Sequence, residues 1–180
     1  SILMDMAAPE YLGIIDDEAT LKELYTILGI SYEDNIPVLE EQCLANGGDG
    51  SGLKPEIIST GLPDIMLPVA THEELNKMSP DFAALTEFTR DRDVLSIHAF
   101  TLDGGAHRGG SANGGRDDVT AYCRDFAPVC DIDEEAATGT ANGSLTYYLQ
   151  RNEVIPSEAE CLFIQGEAMG RPSEIRSLAN

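Results

Sequence analysis

The spacing of apolar residues along the chain predicts two long helices. The first covers residues 16–28 and ends at Gly29, since glycine commonly follows the last helical turn. Its apolar face consists of Leu21, Leu24, Tyr25 and Leu28. The second begins near Thr138. Its apolar face consists of Ala141, Leu145, Tyr148 and Leu149.

Short apolar runs bounded by turn-forming residues predict the strands. They lie at residues 2–6, 36–44, 56–60, 65–69, 94–102, 119–124 and 161–165. A shorter helix is indicated between the fourth and fifth runs, where Pro80 suits a first helical position. The Gly-rich stretch at 103–118 is not followed directly by a helix, so we interpret it as a flexible loop. Strands interspersed with two or three helices, without a regular βαβ repeat, predict an α+β fold.

The composition is strongly acidic and indicates a globular protein. The chain has 180 residues, 42% of them hydrophobic, which is enough for one domain or two small lobes. Its 32 Asp and Glu against 11 Lys and Arg give a net charge of −21. Because nucleic acid and anionic membranes attract basic surfaces, we expect neither as a partner. The basic residues include only three lysines, a pattern that a high-salt cytoplasm would explain, since salt screens the repulsion between carboxylates.

The cysteines and histidines have no spacing typical of a metal site, so we predict none. The cysteines, which we expect to be free thiols in a reducing compartment, are Cys43, Cys123, Cys130 and Cys161. The histidines, which we expect to be hydrogen-bonded or solvent-facing, are His72, His98 and His107. The chain has no apolar run long enough to span a bilayer, and the opening SILMDMAAPE lacks the basic flank of a signal peptide. We therefore predict a cytoplasmic protein.

An acidic pair followed by small residues, EEAATGTA at residues 134–141, contains the candidate chemistry. If a helix begins near Thr138, the backbone N–H groups of Gly139, Thr140 and Ala141 have no acceptor within the helix. These three groups, here called the anion cradle, would attract a carboxylate or phosphate to the positive end of the helix dipole. The alternative is that the two glutamates only complement this dipole while a threonine caps the helix.

Three stretches of the sequence match the motifs of one known family. They are MDMAAP at 4–9, FAPVCDIDEEAATGTANGSLTYYL at 126–149 and FIQGEAMGRPSEI at 163–175. The second resembles the Phe-x-Pro…Glu-Asp-Pro-x-Thr-Gly-Ser-Ala signature of the PhzF-like phenazine-biosynthesis proteins, and the third resembles their Gln-Gly-x-x-Met-Gly-Arg-Pro-Ser segment. The first resembles the opening strand of that family's second lobe. The resemblance implies a diaminopimelate-epimerase-like fold, in which each of two lobes wraps a mixed, mostly antiparallel sheet or barrel around a central helix.

The resemblance identifies residues 1–180 as the second, C-terminal lobe of such a protein. The first-lobe segments Ser-Glu-Thr-Ala and Cys-Gly-His-Ala, which supply the family's principal acid/base glutamate and a histidine, have no counterpart in the sequence. The family's Glu-Asp-Pro matches residues 134–136, so its catalytic-site aspartate corresponds to Glu135 and its proline to Ala136. The carboxylate is retained with one extra methylene, and the stiff proline that would orient it is lost.

By the same resemblance, the protein is an isomerase that moves a proton within a small carboxylate-bearing substrate, without a cofactor. Glu135 is then the catalytic acid of this lobe. The residues expected to bind the substrate are Thr138, Gly139, Thr140 and Ala141. An amino-acid epimerase is disfavoured, because Thr138 stands where those relatives carry a catalytic cysteine and Leu62 where they carry a substrate-binding asparagine. Cys130 precedes the cradle and is interpreted as a buried or idle thiol.

The rival hypothesis is a non-catalytic ligand-binding or assembly module that retains the anion cradle. Half of a two-lobed protein exposes the surface that its other lobe would cover. We therefore expect either a homo-oligomer or a complex with a separate first-lobe chain. In the MGRPS stretch, Arg171 is interpreted as a residue that fixes its loop by hydrogen bonds rather than as a substrate ligand.

Overall fold

The computed structural model describes residues 6–45, 49–104, 116 and 118–178. The strands are β1 Glu10–Ile14, β2 Glu56–Ser59, β3 Pro63–Pro68, β4 Ser96–Thr101, β5 Ala121–Ala127, β6 Ile132–Glu135, β7 Glu160–Gln165 and β8 Ser173–Leu178. The α-helices are α1 Glu18–Ile27, α2 Tyr32–Ala45, α3 His72–Lys77, α4 Phe82–Arg90 and α5 Gly139–Arg151. Among these helices none has the length and apolar character needed to cross a bilayer.

The strands form one open sheet with the order β1-β2-β3-β4-β5-β7-β8, and β6 also pairs with β5. The β3–β4 and β5–β7 pairs are parallel, and the other five pairs of described strands are antiparallel. Antiparallel neighbours need only short connections, whereas each parallel pair is joined by a crossover that contains helix. This mixed, mostly antiparallel sheet with its helices confirms the predicted α+β fold.

The two faces of the sheet pack against different helices, because side chains alternate along each strand. One face packs against α5, in a cluster that includes Ile58, Met66, Phe100, Leu145, Tyr148 and Phe163. The opposite face packs against α1 and α4, in a cluster that includes Leu24, Ile65, Leu85, Ile97 and Phe126. Eight of the 13 residues of α5 are buried, which makes it the central helix of the fold.

Two of the predicted helices are confirmed, and the start of the third is corrected. The first is α1, whose N-cap Asp17 accepts a hydrogen bond from the backbone N–H of Thr20 at 2.9 Å, and the second is α5. The third, α4, begins at Phe82 rather than at Pro80. Its N-cap is Asp81, because a carboxylate that accepts the N–H of Ala84 stabilises a helix start more directly than proline does.

The strand predicted at residues 36–44 is wrong, since this segment is part of α2. The Ser31 hydroxyl accepts the N–H of Asp34 at 3.1 Å and so caps the helix. The buried amide of Asn35 then fixes α2 to the core, because its Oδ1 accepts the N–H of Ala70 at 2.9 Å. The strand predicted at 2–6 and the flexible loop predicted at 103–118 lie largely outside the described residues.

Candidate active site

Two strands end beside each other on one edge of β5. The first half of β5 pairs with β7, and its second half pairs with β6. Because β7 runs parallel to β5 and β6 runs antiparallel, their carboxyl ends approach each other, at Gln165 and Glu135. Helix α5 begins at the same place, with Thr138 as its N-cap residue. The site is therefore assembled from the ends of two strands and the start of the central helix.

The two adjacent glutamates of the acidic pair have separate environments. Glu134 accepts two hydrogen bonds of 2.8 Å from the guanidinium of Arg124, on the side of the sheet that faces α3. Glu135 is opposite Asp125 in the β5–β6 pairing, so its side chain lies on the α5 face. Neighbouring strand residues point to opposite faces. Glu134 therefore has a structural partner, and Glu135 is the carboxylate available to the site.

The side chain of Thr138 does not cap α5. Its hydroxyl oxygen lies 2.9 Å from Oε2 of Glu135 and 2.7 Å from Oδ2 of Asp125. No side chain of the described residues accepts a capping hydrogen bond from the first turn at this position. The alternative in which this threonine caps the helix is therefore wrong, and its hydroxyl instead connects two carboxyl groups.

The amide of Gln165 holds the loop between β6 and α5. Its Nε2 donates to the backbone carbonyl of Glu135 at 2.8 Å and to the Thr138 hydroxyl at 3.0 Å. Its Oε1 accepts the N–H of Thr138 at 3.2 Å and the Asn142 amide at 2.8 Å. Gly166, with φ +89, packs directly against the same loop. A Cβ at this position would lie 2.8 Å from the carbonyl oxygen of Ala136, so only glycine fits. The Gln-Gly pair of the third motif thus fixes the position of Glu135.

The predicted substrate-binding residues form the first turn of α5. Gly139 and Thr140 are half-buried, and Ala141 is fully buried. The first backbone N–H that bonds within the helix is that of Asn142, which donates to the Thr138 carbonyl at 3.2 Å. The three N–H groups of the anion cradle precede it, as predicted, and none receives a side-chain cap from the described residues. Their role in substrate binding stays a prediction.

A layer of buried polar side chains lies beneath this turn, and the sequence analysis did not identify it. We call it the buried polar layer, and it consists of Asp64, Ser96, His98 and Asp125, each at most 4% exposed. Strand register places them together, since Asp64 is opposite Ser96 and His98 is opposite Asp125. The Ser96 hydroxyl donates to Asp64 at 2.9 Å, and the Nδ1 atom of His98 lies 3.4 Å from Oδ1 of Asp125. The signal in the sequence was a polar residue on the same face of three successive buried strands.

Burial and mutual charge shift the protonation of this layer. Burial raises the pKa of Asp64 to about 7, and the nearby charge of Asp125 adds to the effect. Burial alone would lower the pKa of His98, but its contacts with Asp125 and Cys123 outweigh it and raise that pKa to about 10. Since the contact with Asp125 is 3.4 Å long and poorly aligned, it acts as an ion pair rather than a hydrogen bond. At neutral pH the layer therefore holds a cationic histidine beside a partly protonated acid.

Substituting Asp64 with Asn should make the protein more stable at alkaline pH. The folded-state pKa of about 7 lies above the ordinary value of 3.8, so the native state binds more protons between these values and wild-type stability falls as pH rises through them. The asparagine side chain cannot ionise and can still accept from Ser96, so we expect a gain of roughly 4 kcal/mol above this window and little difference below it. Urea unfolding of both proteins across the pH range measures this.

Asp16→Asn, which removes one charge from an exposed position, is the control and should leave the pH profile unchanged. His98 acts in the same direction as Asp64, since its pKa is raised. Its contribution to stability is complete below pH 6.5 and is lost as pH rises through about 10, so it remains in both proteins. An equal pH dependence in wild type and Asp64→Asn would contradict the prediction.

The side chains of the other residues considered from the sequence make none of the hydrogen bonds around Glu135 described above. His72 is hydrogen-bonded, as predicted, with its Nε2 atom 2.8 Å from Glu167 and its ring stacked on Tyr122. Cys130 is an exposed free thiol, not a buried one. Arg171 is exposed, and its backbone N–H donates to the Gly166 carbonyl at 3.0 Å. Within the described ranges, no cluster of three or more His, Cys, Asp and Glu side chains has the geometry of a metal site.

The fold and the site together define an α+β lobe in which a strand-end carboxylate meets the start of a central helix. Residues 30–180 match the family model of the phenazine biosynthesis-like proteins, PhzC-PhzF. The chain belongs to this family, as its three sequence stretches predicted.

Curated relatives of the chain are named as isomerases. An "Uncharacterized isomerase" of Deinococcus radiodurans is 32% identical over 128 residues, which are 69% of this chain and 37% of that protein. The trans-2,3-dihydro-3-hydroxyanthranilate isomerase of Pseudomonas aeruginosa is 27% identical over 159 residues, which are 85% of this chain and 51% of that protein. The chain thus spans about half or less of the length of these relatives.

Solved structures of the family share the fold. A PhzF-family phenazine biosynthesis protein of Bacillus anthracis superposes with a TM-score of 0.71 at 18% identity, over 95% of this chain and 49% of that one. A predicted epimerase of Pseudomonas aeruginosa gives a TM-score of 0.65 at 23% identity, over 94% and 48%. These similarities confirm the predicted diaminopimelate-epimerase-like fold. Of the sheet or barrel that was predicted, the described strands form an open sheet.

Proposed function

We propose that this chain is the second lobe of a PhzF-like isomerase, which moves a proton within a small carboxylate-bearing substrate. The observation that carries the proposal is the placement of Glu135, a half-buried carboxylate bonded to the Thr138 hydroxyl at the start of the central helix. A general acid or base must be held within hydrogen-bond reach of the proton that it moves. The side-chain amide of Gln165 supplies that rigidity, since it accepts the N–H of Thr138 and donates to the carbonyl of Glu135.

In this proposal the anion cradle holds the substrate carboxylate. The N–H groups of Gly139, Thr140 and Ala141 are at the positive end of α5, and Gly139 lets a ligand approach the backbone. Glu135 then acts on a carbon of the same substrate, close to the helix start. Isomerisation by proton transfer needs only such acid/base groups, so we propose no metal or organic cofactor.

The principal acid/base group must come from outside this sequence. The family's first-lobe segments have no counterpart here, and the relatives in which they are expected are about twice as long as the matched region. We propose that the first lobe belongs either to the same polypeptide or to a separate chain in the cytoplasm, and that without it the surface around Glu135 is covered by a second copy.

Complementation tests the proposal. The chain is assayed alone and together with the unmatched half of the Pseudomonas aeruginosa relative, with trans-2,3-dihydro-3-hydroxyanthranilate in deuterated water. We expect negligible deuterium incorporation by either part alone and incorporation when both are present. Incorporation by this chain alone, or none by a complex of the two parts that is seen to form, would contradict the assignment.

The second candidate is a non-catalytic binding or assembly module, favoured by Glu135 and Ala136 standing where the family pattern has Asp-Pro. Such a module would still bind an aromatic acid at the anion cradle. Amide chemical shifts of Gly139, Thr140 and Ala141 in a titration with anthranilate report that binding directly. Shifts in these amides without deuterium incorporation in the complemented sample would select the module.

A further inference from the structure

The hydroxyl of Thr138 lies between two carboxyl groups but has one hydrogen to donate. Its Oγ1 is 2.7 Å from Asp125 and 2.9 Å from Glu135, and it also receives a hydrogen bond from Gln165 at 3.0 Å. A hydroxyl donates one hydrogen bond and accepts two. All three contacts are two-centre hydrogen bonds only when one of the two carboxyl groups is protonated and donates to Oγ1.

We propose that Asp125 and Glu135 share one proton through the Thr138 hydroxyl, and that Asp125 is thereby a positioning residue for the proton of Glu135. The sharing follows from the geometry of this chain alone. Its use in catalysis rests on the proposed function, in which Glu135 exchanges a proton with the substrate.

The charges around Thr138 favour retention of this proton. The groups on the α5 face of the sheet and on α5 that surround it are Asp64, His98, Cys123, Asp125, Glu135, Asn142 and Gln165. Three of them are carboxyl groups, and His98 is the only basic side chain in this set. Burial raises the pKa of the Cys123 thiol, which keeps it uncharged. Carboxylates this close together repel one another, which favours one shared proton over two ionised groups in the proposed arrangement.

The guanidinium of Arg124 is kept away from the Asp125 and Glu135 pair by the alternation of side chains along β5. Arg124 is adjacent in sequence to Asp125, but its guanidinium lies on the opposite face and is occupied by Glu134. Asp125 is 1% exposed, and its Oδ1 atom has no hydrogen-bond partner among the described residues. Arg124 therefore does not neutralise Asp125, which leaves His98 and the shared proton to balance its charge.

In the proposed reaction, the Thr138 hydroxyl can relay the shared proton between Asp125 and Glu135. When the shared proton lies on Asp125, the Thr138 hydroxyl can take it and pass its own hydrogen to Glu135, which then gives a proton to a substrate carbon. The pair is then one proton short until the proton removed from another substrate carbon returns to it. The isomerisation consumes no external proton, and the hydroxyl keeps Glu135 in its acidic form for the donation step.

Infrared spectroscopy of the isolated chain tests the shared proton without any activity assay. In the Asp64→Asn background, which removes the other protonated carboxyl group, a C=O stretch of a carboxylic acid should persist at mildly alkaline pH and shift in deuterated water. Removing either carboxyl group removes the need for the proton. We therefore expect the band to disappear in both Glu135→Gln and Asp125→Asn, whereas a merely structural role for Asp125 would leave it in place.

Thr138 supplies a matched pair of variants in case Asp125→Asn does not fold. Thr138→Ser keeps the hydroxyl and should keep the band, while Thr138→Val removes the link and should abolish it. Neither change removes a helix cap, since the Thr138 side chain caps nothing. No acid band in the Asp64→Asn background, or a band unaffected by both Asp125→Asn and Thr138→Val, overturns the inference. If the acid band behaves as expected in all these variants but the complemented sample shows no activity, the proposed function alone is rejected.

Discussion

Replacing Glu135 with Gln should lower turnover of the complemented enzyme by roughly a hundredfold or more, the usual scale for one acid/base group. Gln keeps the length and shape of the side chain, and its Oε1 can still accept from the Thr138 hydroxyl, as Glu135 does at 2.9 Å. What it loses is the ability to carry a proton. Binding of the substrate at the anion cradle should change much less, because the backbone N–H groups that form it are untouched.

Single-turnover proton exchange in deuterated water measures this effect separately from product release. Asp133→Asn is the matched control, since it removes one negative charge two residues away from an exposed position on the same strand. It should exchange at the wild-type rate. If Glu135→Gln also exchanges at that rate, then Glu135 has only an electrostatic or structural role and the proposed mechanism is wrong.

Local sequence signals predicted the helices that carry clear apolar periodicity. The faces that define α1 and α5 consist of residues that are almost all fully buried, so packing agrees with periodicity. The segment at 36–44 was misassigned because its apolar residues do not define a helical face as clearly. Its helical state depends on the cap at Ser31 and on the long-range bond between Asn35 and Ala70, which no local pattern contains.

The motifs located the candidate site, but they did not reveal its inner partners. The predicted helix start placed the anion cradle in the first turn of α5, and the resemblance singled out Glu135, which the structure puts at the end of β6 just before that turn. The roles of Asp125 and His98 were missed, because no local motif marks them and they meet only through the register of β4 and β5. Gln165 was part of a quoted motif, yet its four hydrogen bonds depend on the meeting of β6, β7 and α5.

Substituting Arg124 with Met should cost about 3–5 kcal/mol of stability, the usual cost of leaving a buried ion without its partner. Arg124 is 7% exposed, and its guanidinium donates to both oxygens of Glu134. It also donates to the carbonyls of Leu75 at 3.1 Å and Met78 at 2.8 Å. Met fills a similar volume, so the loss comes from the unpaired carboxylate and carbonyls rather than from a cavity. Chemical unfolding monitored by circular dichroism gives the free energy.

The double variant Arg124→Met with Glu134→Gln separates the two sources of this loss. Removing the stranded carboxylate should recover a large part of the stability, because an unpaired buried charge costs more than a neutral amide. The exposed pair of Arg176 and Glu160 supplies the control, since both side chains are more than 60% exposed and Arg176→Met should change stability by less than about 1 kcal/mol. If Arg124→Met costs no more than Arg176→Met, the guanidinium does not hold β6 in place. Glu135, the next residue along that strand, would then owe its position to Gln165 and Thr138 alone.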